Sequence, residues 1–340
     1  MITRRALFFC FFLTLLTQLI LAQKPSSQAQ TKSDSGASTT TFDTAPGKIR
    51  VILPDDLAAG DAISGTVIAE PSGQTEKEKE RNTAKLNGYV IEIENQKSPV
   101  SAGAIQRVHL APGMPAPLLI LLDAKGKQIA ATPLVVLPSA PATQRTLNLR
   151  TLGQSGLPTQ IQGPFDGDSA NTRITVSGTD AQVIVESPRK VVVQSPAAPV
   201  GPGEIKVTKN GATTTGAFWN LRIDLTAPKT SLLKGESTEL HVQVSGLEGI
   251  SQPVKVELQN QSPSTVNIAG GNTQSIVIQP SQVRAGGTFS WSTNLTGTGS
   301  GSFVITARVI PDMFGPPSSP APKTLPTPAP TDTGASKATA

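Results

Sequence analysis

The chain has 340 residues and a single cysteine, Cys10, which lies in an apolar run at the amino terminus. If that run is removed on export, the rest of the chain has no thiol, no disulfide and no cysteine-based metal site. Small exported domains often rely on disulfides. The domains of this chain must therefore be held together by core burial alone, which favours units of about 90 residues over units of about 40.

Charge and aromatic residues are also scarce, at 16% and 4% of the chain, and there are only two histidines. The formal net charge of +5 includes Arg4 and Arg5; without them, 27 basic residues face 24 acidic ones, a balance of +3. Nucleic-acid binding needs lysine and arginine clustered on one face. No nucleic-acid partner is expected.

The amino terminus has the layout of a secretory signal peptide. Met1 to Arg5 is short and positive, residues 6–21 carry no charge, and Ala22 is a small residue suited to cleavage. An uncleaved anchor is the alternative, although the apolar run is short for a span of about 20 residues. We expect residues 1–22 to be a signal peptide and the protein to be exported to the periplasm, the outer surface or the medium. An uncleaved signal anchor would be its only contact with a membrane.

Two segments have the composition of unfolded chain. Residues 23–46 are rich in Ser and Thr and contain one large apolar side chain, Phe42. Residues 311–340 are rich in proline, which favours extended and solvated backbone. Neither segment has enough apolar surface to offset the entropy of ordering. The sequence therefore predicts a disordered linker at 23–46 and a disordered tail at 311–340.

Between these segments, the pattern predicts β-strands punctuated by Gly, Pro, Asp and Asn. Residues 239–244 and 302–309 alternate polar and apolar side chains, which is typical of antiparallel sheets with one wet face. A charged stretch, 75–86, predicts a solvated helical turn or loop between strands. The predicted fold class is all-β, with tandem immunoglobulin-like β-sandwich domains at 47–138, 139–216 and 217–310.

The middle domain resembles IPT/TIG domains over about residues 145–215. The resemblance rests on these segments: Gly163-Pro-Phe165-Asp-Gly-Asp168-Ser-Ala-Asn171-Thr172, Ile174-Thr-Val176-Ser-Gly178, Ala181-Gln-Val183, Glu186-Ser187-Pro188-Arg189, Val191-Val-Val193, and Gly203-Glu-Ile205-Lys-Val207. Asp166 stands where the family usually has a glycine. The resemblance implies an immunoglobulin-like module that acts as a spacer or interaction surface, with motif residues that make turns.

The first domain is similar to the transthyretin-like, or carboxypeptidase regulatory-like, module. The similarity rests on Ile63-Ser-Gly65-Thr-Val67 and Asn87-Gly88-Tyr89-Val90, which match its two glycine-marked strands. The charged insertion at 75–86 departs from that pattern. The third domain is immunoglobulin-like without a family signature.

The sequence contains little that points to catalysis. His109 and His241 each lie in an alternating strand without a second histidine nearby. No G-x-S-x-G segment marks a nucleophile, and no glycine-rich phosphate loop precedes a helix. We therefore expect no cofactor and no enzyme activity.

Asp166-Gly-Asp168 is the candidate metal site. Alternate carboxylates in a loop are what calcium sites use, although Asp-Gly is also common turn chemistry. The distal glutamate and the spacing of an EF-hand are absent.

These features favour a non-catalytic, exported interaction or structural protein of the cell envelope or surface, with a protein partner. A carbohydrate-binding accessory protein is the alternative, and it needs Trp219, Trp291 or Tyr89 to be exposed; core packing is the other role for these aromatic residues. A hydrolase is the second alternative. It needs a pocket that gathers His109 or His241 with a carboxylate and a serine.

Overall fold

The computed structural model describes residues 30–34, 36–112, 116–137, 147, 151–269 and 271–310. The predicted signal peptide, residues 23–29 of the predicted linker and the predicted tail at 311–340 lie outside the described residues. Within these ranges, no helix has both the length and the apolar character that a membrane crossing requires. The all-β prediction is confirmed, because the described chain is mostly strand and its sheets are mostly antiparallel.

The first block, residues 30–137, contains two sheets packed around one apolar core. Its strands are β1 (Gln30–Asp34), β2 (Ala37–Thr44), β3 (Gly47–Pro54), β4 (Ala62–Pro71), β5 (Val90–Ile93), β6 (Gln96–Pro99), β7 (Ala104–His109), β8 (Leu118–Leu122) and β9 (Gln128–Pro133). One sheet has the order β1-β2-β3-β4-β7 and the other β6-β5-β8-β9.

Strand β2 corrects one prediction, because it lies inside the segment 23–46 that composition marked as disordered. Phe42 is fully buried in the first core, and Ala37 to Thr44 pair with Gly47 to Pro54 along the whole of β3. The physical reason is the run of threonines before Phe42. Threonine is β-branched and suits a half-buried strand surface, and one large anchor suffices when a neighbouring strand supplies the rest of the core.

The charged stretch forms the helix α1 (Glu76–Leu86), which begins with a capping box between Thr75 and Glu78. Only Leu86 of this helix is buried. The expectation of a solvated element between strands therefore agrees with the structure.

The middle block, residues 147–220, contains β10 (Thr151–Gln154), β11 (Pro158–Gln162), β12 (Thr172–Val176), β13 (Thr179–Ser187), β14 (Lys190–Gln194), β15 (Gly201–Lys209) and the first part of β16 (Ala212–Thr226). β15 and β16 form a long hairpin around Asn210 and Gly211, both of which have positive φ, at 49° and 81°. Asn-Gly is the preferred pair for a tight hairpin turn of this kind.

The third block, residues 221–310, contains the end of β16 followed by β17 (Ser231–Leu232), β18 (Ser237–Ser245), β19 (Val254–Asn260), β20 (Val266–Ile268), β21 (Thr273–Ile278), β22 (Thr288–Gly297), β23 (Gly301–Ser302) and β24 (Ile305–Ile310). The sheet β16-β18-β22-β20 faces the sheet β21-β19-β24. Side chains from both sheets make up the core between them.

Hydrogen-bonded strands connect all three blocks without a break, in the order β1-β2-β3-β4-β13-β12-β15-β16-β18-β22-β20. Glu186 of β13 pairs with Ser64 of β4, which joins the first block to the middle one. The 15-residue strand β16 pairs with β15 in its first part and with β18 in its second, and it crosses the position 216/217 where a domain boundary was predicted. A shared strand leaves little freedom for a hinge between the middle and third blocks.

Candidate interaction cleft

A cleft of about 950 Å³ lies where the three blocks meet. Its described lining residues are Thr39, Thr41 and Arg50 from the first block, residues 152–155 and 157–159 from the middle block, and Ile223, Leu225, Gln259, Gln261 and residues 305–309 from the third. A volume of this size is in the range of ligand-binding clefts. The cleft exists only while the three blocks hold their relative positions.

The edge of β24 forms one wall of the cleft. Side chains alternate between the two faces of a strand, so five consecutive lining residues, 305–309, indicate that the cleft follows the strand's edge. β24 pairs with β19 on one side and with no described strand on the other. The outward N–H and C=O groups of an edge strand can pair with a further extended chain.

The polar part of the lining is mostly neutral, made of threonine and glutamine side chains. Its two arginines are each paired with a glutamate just outside the cleft: Arg50 with Glu70, and Arg308 with Glu257 at 2.8 Å between Nη2 and Oε1. No carboxylate occurs among the described lining residues. The described lining offers hydrogen bonds and apolar contact.

None of the three candidate aromatic residues is among the described lining residues of this cleft. Trp219 is 8% exposed in the third core, and its indole N–H donates to the carbonyl of Glu248 at 3.0 Å. Trp291 is half-buried against both halves of that core, and Tyr89 is half-buried against the first core. The structure does not bring the three together into one surface.

In the candidate calcium pair, Asp166 and Asp168, both carboxylates accept hydrogen bonds from nearby groups of the same turn. Oδ1 of Asp166 accepts the backbone N–H of Asp168 at 3.1 Å, and the Asp168 carboxylate accepts the N–H of Ala170 and the amide of Asn171. Lys209 lies 3.7 Å from Oδ2 of Asp166. Among the described residues, no group of three or more His, Cys, Asp or Glu is arranged to hold a metal ion.

The two histidines differ in their surroundings. His109 is exposed on β7. His241 Nδ1 lies 2.8 Å from the hydroxyl of Ser292, and its Nε2 lies 3.6 Å from Oε2 of Glu239. These three side chains lie on an open, wet sheet face, and β18 is hydrogen-bonded on both sides, so its backbone N–H groups are already used. A hydrolase also needs hydrogen-bond donors aimed at the oxyanion, and the backbone N–H groups of β18 are not free to act as those donors.

The junction between the first and middle blocks was missed by sequence reasoning. Arg189 lies against Asp56, at 3.0 Å from Nε to Oδ2, and against Asp61, while Lys190 pairs with Asp55. The sequence does contain the charged residues of this junction: acidic residues follow β3, and Arg189 and Lys190 follow β13. Nothing in a single sequence pairs charges more than 120 residues apart.

Glu186 lies at the same junction and is fully buried. Burial raises its pKa to about 7, the neighbouring charge of Asp166 adds to the rise, and the Thr172 hydroxyl works against it. Burial also acts to raise the pKa of Asp166, but the Asp168 N–H and Lys209 outweigh it and hold that pKa below its usual value.

Comparison with known proteins identifies a domain family for the middle block. Residues 153–218 match the IPT/TIG domain, and no curated protein matches the chain. Three solved structures are similar at 11% identity: SGBP-B of the Bacteroides ovatus mixed-linkage glucan utilization locus in complex with a mixed-linkage heptasaccharide (82% of this chain, 88% of that one, TM-score 0.24), SGBP-B from a complex xyloglucan utilization locus in Bacteroides uniformis (84% and 98%, 0.26) and the plexin A4 extracellular region (84% and 23%, 0.26). Similarity this low transfers no binding property. Residues 153–218 are an IPT/TIG domain, as the resemblance predicted, within a chain whose described part is mostly β-strand.

Proposed function

We propose that this protein is a non-catalytic, exported interaction protein of the cell envelope or surface, and that it binds a protein partner in the cleft between its three blocks. The observation that carries the proposal is the composite lining of that cleft, to which every block contributes. The path of paired strands supports it, because the shared strand β16 fixes the middle and third blocks relative to each other and the Glu186–Ser64 pair joins the first block to them.

The chemistry of the cleft favours an extended protein segment over a glycan. An unpaired strand edge binds a peptide through main-chain hydrogen bonds, and neighbouring pockets select its side chains. Sugars are usually bound against exposed aromatic faces, and no aromatic side chain occurs among the described lining residues. Export rests on the signal-peptide pattern of residues 1–22.

In-cell chemical crosslinking of the tagged full-length protein tests the proposal, with mass spectrometry of the captured species. Thr306→Trp places bulk against the β24 edge, and Thr296→Trp is the matched control on the exposed face of β22. We expect the unmodified chain and the control to capture the same protein and Thr306→Trp to lose it. Equal capture by all three, or capture of glycan alone, would overturn the proposal.

The cluster Glu239, His241 and Ser292 is the specific observation in favour of a hydrolase. A fluorophosphonate probe tests it, because such probes label serines activated by a neighbouring base. The interaction proposal predicts no labelling of Ser292. Labelling that disappears in Ser292→Ala would replace it with hydrolysis.

A further inference from the structure

Glu186 stands at the point where the first block joins the IPT/TIG domain. Glu186 lies in β13, where its backbone pairs with that of Ser64 in β4, and its side chain is fully buried. Two more bonds fix the same contact: the Thr66 hydroxyl donates to the carbonyl of Ile184 at 2.6 Å, and the Ser169 N–H donates to the Ser64 hydroxyl at 3.3 Å. A titratable group therefore sits at the centre of a joint between two domains.

The Glu186 carboxyl lies beside the Asp166 carboxylate and the Thr172 hydroxyl. No described donor makes a well-formed hydrogen bond to either of its oxygens. Asp166, in contrast, accepts the Asp168 N–H and lies near Lys209. Two adjacent carboxylates do not both ionise at low cost, and of this pair Glu186 is fully buried whereas Asp166 is 27% exposed. The proton is therefore held by Glu186, where it can be donated to Asp166.

The other charges at the joint do not neutralise an ionised Glu186. Arg189 and Lys190 follow it in the chain, and their cationic groups contact the three aspartates of the first block, Asp55, Asp56 and Asp61. On the IPT/TIG side, the nearby charged groups are Asp166 and Lys209. Ionising Glu186 would thus add a buried negative charge without a cation of its own, which is costly.

We propose that loss of the Glu186 proton weakens the joint between the first block and the IPT/TIG domain. At mildly acidic pH the two keep one relative orientation. At mildly alkaline pH the first block moves relative to the IPT/TIG domain. The inference rests on the described joint and not on the identity of the partner. It has a consequence for the cleft, because Thr39, Thr41 and Arg50 of the first block form one wall. Movement of the first block would therefore take these three residues away from the cleft.

Distance measurements between two spin labels test the proposal in the full chain with Cys10→Ser. Labels go on exposed positions of the two domains, at Lys77→Cys in α1 and Thr213→Cys in β16. We expect a narrow distance distribution at about pH 6 and a broad one at about pH 8.5. Glu186→Gln, which keeps the shape and cannot ionise, should stay narrow at both, and Glu204→Gln, an exposed carboxyl of β15, should behave like the parent chain.

A distribution that is equally narrow at both pH values in the parent chain would overturn the proposal, and so would broadening that persists in Glu186→Gln. If Glu186→Gln does not fold, hydrogen exchange of residues 64–66 in the parent chain gives the same decision once the intrinsic pH dependence is removed. Protection lost above about pH 7 supports weakening of the joint, and unchanged protection contradicts it.

Discussion

The guanidinium of Arg189 lies on the carboxylate of Asp61, with 2.5 Å between Nη2 and Oδ2, and both side chains are 8% exposed. Asp61 lies in the first block and Arg189 in the IPT/TIG domain, 128 positions apart in the chain. In a buried pair of this kind, each charge exchanges its hydration for contact with the other charge. Removing either partner leaves an uncompensated buried charge and is strongly destabilising.

Arg189→Met should therefore weaken the joint strongly, because it leaves the buried Asp61 without its cation and leaves Asp56 with only Lys190, whose Nζ lies 3.5 Å from its Oδ1. We expect a loss of about 3–5 kcal/mol in the free energy of unfolding, measured by urea denaturation. Arg173→Met is the matched control, since Arg173 pairs with Asp180 on the surface and its loss should change little. A loss of similar size in both variants would contradict the role given to the joint.

Stability should fall as pH rises through about 7, because burial raises the pKa of Glu186 to about 7 from an ordinary value of 4.5. Below pH 4.5, Glu186 is protonated in both the folded and unfolded states. Between the two values, the unfolded chain loses the proton and the folded chain keeps it, so the unfolded state gains. The total should be about 3 kcal/mol, read from urea midpoints across pH. Glu186→Gln should flatten the profile over this range; an unchanged slope would assign it to other groups.

Gly167→Ala should be more damaging than Gly178→Ala. Both glycines have positive φ, at 72° and 83°, so alanine pays a similar backbone cost at each. A Cβ at 167 would overlap the carbonyl of Ala62 in the first block, whereas a Cβ at 178 meets nothing within 4 Å. Thermal unfolding of the two variants should thus differ by an amount that reports on domain contact. Equal melting temperatures would mean that the domains do not approach each other here.

Tryptophan emission should be blue-shifted and resistant to acrylamide. Trp219 is buried, and Trp291 is half-buried with its ring centroid 5.9 Å from that of Phe289. Soluble oligosaccharides should leave the emission unchanged. Red-shifted emission that oligosaccharides quench would instead favour the carbohydrate-binding alternative, with these rings as its platform.

Strand positions were predictable where polar and apolar residues alternate. The alternation at 239–244 lies within β18, whose side chains alternate between buried and exposed, and the alternation at 302–309 overlaps β24, which begins at Ile305. The turn-forming residues of the IPT/TIG pattern, which are local signals, located that domain from sequence. β2 was missed because the composition of 23–46 as a whole concealed a short β-branched run beside Phe42.

The joint and the cleft could not be predicted because they depend on long-range contacts. Asp61 and Arg189 each look like ordinary loop charges until β4 meets β13. The edge of β24 becomes a cleft wall only when the first block covers it. Glu186 carried no local sign of a raised pKa, since its burial results from the packing of two domains.

Site-specific photo-crosslinking in cells tests the central claim most directly. A photoreactive amino acid at Thr306 on the β24 edge is compared with the same group at Thr296, outside the cleft. We predict that Thr306 crosslinks to one extended segment of a single envelope or surface protein and that Thr296 does not. Equal crosslinking at both positions, or none at Thr306 while another face is captured, would contradict the assignment of the cleft as the interaction site.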